Sequence, residues 1–131
     1  MPATLALDKH SSDAVTEGVR ITVRPAFLAA QSSASDKRFL FSYSVTIRNE
    51  GTKCIRLASR HWRIVDGDGD ERLIDGDGVV GEHPELNPGD SFEYSSFCPM
   101  RTAWGTMEGH YAFEREGVRF DAKVGRFFLV S

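Results

Sequence analysis

The chain has 131 residues, of which 40% are apolar, and a formal net charge of −3 at pH 7. This length fits one domain with a sizeable core, since domains most often have about 100–150 residues. The apolar content excludes global disorder. The mild negative charge lacks the basic character typical of nucleic-acid-binding proteins, so we expect no nucleic-acid partner.

Residues 1–18 are mostly polar and show no regular period, which predicts a flexible N-terminal arm before a single domain of residues 19–131. The arm lacks the basic start and apolar run of a secretory signal. No stretch of the sequence approaches the ~20 apolar residues of a membrane-spanning helix. We therefore expect a cytoplasmic protein in which Cys54 and Cys98 are reduced thiols, with a disulfide between them as the alternative.

Alternating apolar and polar residues predict the strands, because successive side chains of a strand point to opposite faces. The alternation begins at Val19, is clearest from Phe39 to Ile47 and resumes at Cys54. It returns in four further stretches, namely residues 71–74, 91–97, 106–114 and 118–129. This pattern predicts an all-β fold, an immunoglobulin- or fibronectin III-like β-sandwich of about seven antiparallel strands.

Two turn sequences predict hairpins. Residues 49–52 (NEGT) lie between two predicted strands, and Gly51 is free to take a positive φ angle. Residues 114–117 (EREG) lie between the last two strands in the same way. We therefore predict one β-hairpin at each of these turns.

The third predicted strand carries an irregularity. Ile55 and Leu57 occupy odd positions, whereas Trp62 and Ile64 occupy even ones. All four side chains can face the core only if the strand gains an extra residue between them. We therefore predict a β-bulge or bend within residues 58–61.

Residues 76–81 read GDGVVG and match the phosphate-binding pattern G-x-G-x-x-G. In nucleotide-binding domains this pattern opens a helix whose free amides hold a pyrophosphate. Here Pro84 and Pro88 follow closely, so no helix is expected, and the glycines predict a crossover loop between the two sheets. A loop whose amides bind phosphate or pyrophosphate without a helix is the alternative. Its residues would be Gly76, Gly78, Val79, Val80 and Gly81, with Arg60 or Arg101 as the counter-charge.

A longer stretch around these glycines carries a family resemblance. Residues 76–94, GDGVVGEHPELNPGDSFEY, closely resemble the signature of the ApaG family, also known as the DUF525 domain. Residues 59–62 (SRHW) and 105–111 (GTMEGHY) resemble two further motifs of the family, in the same order along the chain. The resemblance covers nearly the whole sequence, and several spaced motifs make it specific.

The resemblance implies a fibronectin III-like fold and a link to cobalt resistance and magnesium efflux, with which bacterial members are associated. It also implies protein binding, because the same domain occurs in a eukaryotic F-box protein and in a DNA-polymerase-interacting protein. No settled enzymatic activity accompanies the family. We therefore interpret the protein as a small non-enzymatic binding module without a cofactor. The alternative is a binder or hydrolase of phosphate-containing small molecules that acts through residues 76–81.

The acidic residues and the histidines are only weak candidates for a metal-binding or acid–base site. Asp66, Asp68 and Asp70 have the spacing that starts an EF-hand loop, but the glycine that such a loop needs next is missing. We expect a solvated acidic turn, with weak divalent-cation binding as the alternative. The histidines lack the spacing of a zinc site, so no metal site is predicted. His61 and His83 are a candidate acid–base pair only if folding brings them together.

The predicted partner surface combines residues 82–84, which follow the glycine pattern, with one aromatic residue elsewhere in the chain. Trp62 lies in an alternating strand and is expected in the core, whereas Trp104 lies in a predicted loop. An exposed aromatic residue there is a candidate interaction hot spot. The partner is an unknown protein or, through pairing of edge strands, a second copy in a homodimer. The predicted contact residues are Glu82, His83, Pro84 and Trp104.

Overall fold

The computed structural model describes residues 7–131, which form two antiparallel β-sheets packed as a sandwich. The predicted all-β sandwich is therefore confirmed. Within these residues there are nine strands and one turn of 3₁₀ helix, Ala29–Gln31. The strands are β1 Ser12–Thr16, β2 Val19–Phe27, β3 Phe39–Asn49, β4 Ile55–Asp66, β5 Glu71–Asp77, β6 Glu85–Leu86, β7 Ser91–Met100, β8 Trp104–Arg115 and β9 Val118–Val130.

The first sheet has the strand order β1-β2-β3-β7, and the second has the order β5-β4-β8-β9. The short β6 pairs with the beginning of β4. All seven predicted strands are present as β2, β3, β4, β5, β7, β8 and β9. The sequence did not reveal β1 or the two-residue β6.

Strand β1 lies within the N-terminal arm that the sequence predicted over residues 1–18, and here the structure differs from the prediction. β1 pairs with β2 from Ser12–Val23 to Thr16–Val19, across a tight turn in which Gly18 has a φ angle of +81°. Ser12 is the only buried residue of β1, so its sequence lacks the apolar alternation of strands with one face in the core. Residues 1–6 of the predicted arm lie outside the described residues.

The turn at residues 49–52 connects the two sheets, so the hairpin predicted there is wrong. β3 pairs with β2 and β7, whereas β4 pairs with β5, β6 and β8. Asn49 stabilises this crossing because its Nδ2 donates to the carbonyl oxygens of Lys53 and Leu86, at 2.7 and 2.9 Å, and its Oδ1 accepts from the Gly51 amide. The hairpin predicted at residues 114–117 is confirmed between β8 and β9.

The predicted bulge in β4 is confirmed at Ala58, where the pairing with β8 shifts register. Because of this extra residue, odd positions before it and even positions after it face the same side. The core residues of β4 are Ile55, Leu57, Trp62 and Ile64, all of them buried.

Trp62 is the centre of the core, as expected. The ring centroids of Tyr43, Tyr111 and Phe127 lie 5.6, 5.8 and 5.8 Å from its own, with the rings steeply inclined to it. Aromatic pairs of this geometry stabilise a fold by about 0.5–1.5 kcal/mol each beyond their buried area. Cys54 and Cys98 are both free cysteines and are not paired with each other. None of the described residues belongs to a helix long and apolar enough to span a membrane.

Candidate functional site

The glycine-rich segment, residues 76–89, carries the chain from β5 to β7 and thus from the second sheet to the first, as its crossover interpretation requires. The segment stays attached to β4 on the way. The Gly78 amide donates to the Ala58 carbonyl at 2.9 Å, and the Leu57 amide donates to the Pro84 carbonyl at 3.0 Å. The segment is therefore held by backbone hydrogen bonds on the edge of β4 that β5 leaves free.

The tip of the segment is a tight turn. Val79 and Glu82 exchange both backbone hydrogen bonds, at 2.9 and 2.8 Å, while Val80 and Gly81 have φ angles of +44° and +78°. A Cβ atom at Gly78 would lie 2.1 Å from the Glu82 carbonyl oxygen, so only glycine fits there. The amides of Gly78 and Val79, which the anion hypothesis would use, are thus donated to protein carbonyls.

Arg60 connects the glycine-rich segment to the space between the sheets. Its Nη1 donates to the carbonyl oxygens of Asp77 and Gly78, at 3.1 and 2.9 Å. Its guanidinium lies over Gly76, where a Cβ atom would approach the Cζ atom to 2.6 Å. Arg60 therefore holds the backbone of the segment at Asp77 and Gly78 and does not face an anion at the tip of the turn.

The two sheets separate at one side, between the edge strands β5 and β7, and leave a cleft of about 160 Å³ that we call the open-edge cleft. Phe97 and Ile74, on its two rims, are 61% and 40% exposed. The apolar part of the lining includes Trp62, Ile64, Ile74 and Met107. The polar part consists of Tyr43, Arg60, Arg72, Ser96 and Cys98.

Arg72 lies at the end of this cleft nearest Cys98. Its Nη2 donates to the Pro99 carbonyl at 2.9 Å and lies 3.6 Å from the Cys98 sulfur. Burial raises the pKa of the Cys98 thiol, and the neighbouring Arg72 charge opposes that rise. Cys98 is therefore a buried, protonated thiol at neutral pH and not an activated nucleophile.

Three tyrosines lie near Arg60 in the interior, and one of them, Tyr43, lines the open-edge cleft. The hydroxyl groups of Tyr94 and Tyr111 are hydrogen-bonded to each other between the sheets. Burial raises the pKa of Tyr43, Tyr94 and Tyr111, while the positive charge of Arg60 acts on all three in the opposite direction. At neutral pH the three tyrosines are thus uncharged, and the arginines supply the charge of the cleft.

The predicted partner residues do not form one surface. Glu82, His83 and Pro84 border an open groove of about 480 Å³ on the far side of the glycine-rich segment. Trp104 is 49% exposed, as expected for a contact residue, but it begins β8 rather than lying in a loop, and it packs against Gly67. Gly67 follows the far end of β4, roughly 30 Å of extended chain away from Ala58.

The outer face of the second sheet carries two histidines. His61 Nδ1 lies 2.7 Å from Asp75 Oδ1, and its Nε2 lies 2.8 Å from the Ser59 hydroxyl. Its ring stacks on His110 with centroids 4.5 Å apart. His83 does not meet His61, because its Nδ1 is bonded to the Leu57 carbonyl at 3.2 Å. The Ser59–His61–Asp75 chain has triad connectivity, but Ser59 is only 8% exposed and does not present its hydroxyl as a nucleophile.

The acidic turn between β4 and β5 is stabilised by hydrogen bonds among its own residues. Asp66 Oδ1 accepts hydrogen bonds from the amides of Asp68 and Asp70, at 2.9 and 3.0 Å. Residues 7–131 contain no group of three His, Cys, Asp or Glu side chains arranged to hold one metal ion. The Asp66 carboxylate thus has a structural role as an acceptor within the turn.

Most of the open-edge cleft was not predicted from the sequence. Arg60 was predicted only as a counter-charge and Cys98 only as a reduced thiol, and Arg72, Tyr43 and Ser96 were not predicted as site residues. One feature of the sequence could have indicated that Arg60 faces the interior. After the bulge, Arg60 has the same parity as Trp62, so an arginine occupies an inward-facing position of a core strand.

The comparisons with known proteins agree with this architecture. The sequence model of the ApaG domain, DUF525, matches residues 29–115. Protein ApaG of Anaeromyxobacter dehalogenans strain 2CP-C is 49% identical over 91% of this chain and 94% of its own length. Protein ApaG of Brucella canis is 43% identical over 88% of this chain and 90% of its own. The crystal structure of a Bordetella pertussis protein named ApaA superimposes with a TM-score of 0.84 at 39% identity, covering 86% of this chain and 92% of that one.

Proposed function

The chain belongs to the ApaG (DUF525) family, and from that premise we propose that it is a non-enzymatic binding module that holds an extended segment of a partner protein along its open edge. The observation that carries the proposal is the apolar rim of this edge. Leu73, Ile74 and Phe97 are 68%, 40% and 61% exposed on the two edge strands that flank the cleft. Neighbouring exposed apolar side chains of this size are typical of interaction surfaces.

Strand β5 has the properties of a docking template. It pairs with β4 on one side only, and nearly all of its residues are exposed. An edge strand presents unpaired backbone N–H and C=O groups, to which an extended peptide adds as a further strand. Charged residues usually protect such edges, but the middle of β5 is Leu73-Ile74, which leaves the edge open to pairing.

The same strand relates the two predicted contact regions to each other. β5 begins after the turn that contains Gly67, against which Trp104 packs, and it ends just before the segment that contains Glu82, His83 and Pro84. An extended partner segment lying along β5 would have one of these regions at each end. We therefore propose that these residues extend the contact beyond the strand itself.

We propose the same route for the cobalt resistance and magnesium efflux that the family resemblance implies. The protein would act on cation handling through its partner, and the partner would carry the transport chemistry. The setting we propose is the cytoplasm, because free Cys54 and Cys98 thiols fit a reducing compartment.

The test uses peptides selected against the wild-type protein from a random library displayed on phage, with affinity measured by fluorescence anisotropy. We expect Leu73→Lys to weaken binding about tenfold or more, because the new charge would lie beside the added strand. Val118→Lys is the matched control. Val118 is 67% exposed in the β8–β9 hairpin, away from β5, so its variant should bind like wild type.

Hydrogen exchange of the backbone amides provides the second measurement. A bound peptide should slow exchange along β5, since an added strand uses the free N–H groups of that edge. Equal losses of affinity in Leu73→Lys and Val118→Lys, or peptide binding without protection of β5, would refute the proposal.

A further inference from the structure

The open-edge cleft contains two guanidinium groups without an anionic partner. Among the described residues, neither Arg60 nor Arg72 forms an ion pair with a carboxylate. The outer face of the same sheet is arranged differently, because there Arg63 and Arg126 both pair with Glu108. Arg63 and Arg126 on the outer face are thus neutralised, whereas the two arginines of the cleft are uncompensated.

The contacts of Arg60 leave its most useful donors free. Only Nη1 donates to a described residue, through its bonds to the carbonyls of Asp77 and Gly78. The Nε and Nη2 atoms form the side of a guanidinium that binds a carboxylate through two parallel hydrogen bonds. Holding Nη1 in place also fixes the plane of the group, which reduces the entropy that a ligand would have to remove.

The remainder of the cleft adds donors and few acceptors. Arg72 uses only Nη2, for the Pro99 carbonyl and the Cys98 sulfur. Trp62 lines the cleft, and its indole N–H is buried with no hydrogen-bond partner among the described residues. The described lining residues include no carboxylate, so the cleft offers N–H donors to a ligand and no negative charge.

The size of the cleft limits the ligand. Its volume of about 160 Å³ is smaller than the ~300–1,000 Å³ of pockets that enclose drug-sized molecules or nucleotides. It is suited to a single side chain with a short carbon stem. The stem would contact the apolar lining, which includes Ile74 and Met107, and the charged end would meet the arginines.

We propose that the open-edge cleft is a carboxylate-binding site, in which Arg60 is the bidentate anchor and Arg72 the second cation. For the source of the carboxylate the inference rests on the proposed function, since a segment paired with β5 would place its side chains at the cleft. The carboxylate then belongs to an aspartate or glutamate of that segment or to its C-terminus. In either case the cleft gives the module specificity for an acidic anchor, in addition to the sequence-independent backbone pairing.

The experiment observes the arginine Nε–Hε signals of the full chain by NMR during titration with small probes. The probes are N-acetylglutamate α-amide, its neutral analogue N-acetylglutamine α-amide, N-acetylalanine with a free carboxylate, and inorganic phosphate. We expect the Arg60 and Arg72 signals to shift with at least one of the two carboxylates at millimolar concentration and to ignore the neutral analogue. The two carboxylates distinguish a side-chain source from a chain terminus.

Three variants connect the shifts to the cleft. Arg60→Gln and Arg72→Gln should each weaken carboxylate binding about tenfold, the loss expected for one charge-assisted contact. Arg24→Gln is the control, because Arg24 is exposed on β2 and has the same change of charge. Gly76→Ala keeps both arginines but places a methyl group where the Arg60 guanidinium lies, so it too should weaken binding while the protein stays folded.

The outcomes separate this inference from the proposed function. Absence of shifts with both carboxylates, equal shifts with the neutral analogue, a response to phosphate alone, or equal losses in Arg24→Gln would each overturn the carboxylate site. The probes do not require strand pairing, so they can bind even if no peptide is selected by the β5 edge. Conversely, peptides that depend on Leu73 but bind Arg60→Gln and Arg72→Gln normally would support the edge and refute the cleft.

Discussion

The two long sides of the sandwich are closed in different ways. At the side formed by β1, β2 and β9 the sheets are joined by hydrogen bonds. The Phe128 amide donates to the His10 carbonyl at 2.9 Å, and the Lys123 amide donates to the Thr16 hydroxyl at 3.2 Å. At the side formed by β5 and β7 the link is a side chain, the 2.9 Å bond from Arg72 to the Pro99 carbonyl, and the open-edge cleft lies between the strands.

This difference separates two tasks within one small fold. The closed side and the centre of the sandwich are apolar and well packed, which is where hydrophobic burial stabilises a domain. The open side contains two uncompensated arginines and an apolar rim, neither of which improves stability in the isolated chain. The comparison therefore predicts that changes in the core alter folding, whereas changes at the open side alter binding and leave folding nearly unaffected.

The largest expected effect is on the core side of this comparison. Phe127 of β9 is fully buried and packs against Trp62 and Tyr43, so Phe127→Ala should lower the free energy of unfolding by about 3–5 kcal/mol. Leu73→Ala, at a side chain that is 68% exposed on the open side, should change it by less than about 0.5 kcal/mol. Urea unfolding followed by tryptophan fluorescence measures both. Similar losses in the two variants would show that the open side also belongs to the folding core.

An intermediate effect is expected where the cleft meets the core. Tyr94→Phe removes one hydroxyl of the buried Tyr94–Tyr111 pair and leaves the other without its partner, which should cost about 1–3 kcal/mol. Replacing both tyrosines by phenylalanine removes the unsatisfied group, so the double variant should be more stable than the sum of the single losses implies. Strict additivity in this double-mutant cycle would mean that the two hydroxyls do not depend on each other.

The smallest effect near neutral pH, where it is absent, is expected from ionisation of the three tyrosines. Burial raises the pKa of Tyr43, Tyr94 and Tyr111 above the ordinary value of about 10, so the folded protein retains protons that the unfolded chain loses. Stability from this source is complete below pH 10 and decreases as the pH rises further, by up to about 1.4 kcal/mol per pH unit for each tyrosine.

These are the only three tyrosines of the chain, so absorbance at the phenolate band reports on this cluster alone. We expect phenolate to appear together with unfolding rather than before it. Titration of the folded protein near pH 10, with its near-ultraviolet circular dichroism unchanged, would show that the tyrosine cluster is accessible to solvent.

The sequence predicted the strands well because their inner faces are apolar and alternate with period two. It predicted the bulge for the same reason, since the parity of Leu57 conflicts with that of Trp62. It failed at residues 49–52 because a short polar turn with glycine serves a hairpin and a sheet crossing equally well. What decides between them is the buried side chain of Asn49, whose partner Leu86 is distant in sequence.

The cleft was harder to predict than the fold. The pairing of β4 with β5 sets Arg72 opposite Ile64, four positions along β4 from Arg60, whereas Ser96 and Cys98 join them only when the second sheet lies over the first. No local pattern encodes that stacking. The glycine pattern of residues 76–81 has a different cause from phosphate binding. A side chain at Gly76 would collide with the Arg60 guanidinium, and one at Gly78 would collide with the Glu82 carbonyl.

The bulge at Ala58 has a consequence for the chemistry of the molecule as well as for its geometry. The bulge interrupts the two-residue alternation of β4. Before it the odd-numbered residues face inward, and after it the even-numbered residues do. With the extra residue, Arg60 faces inward and His61 faces solvent; in a strand without it, these two would exchange sides. The charge placed between the sheets is thus set by a count of residues, and one inserted amino acid determines which functional group the interior contains.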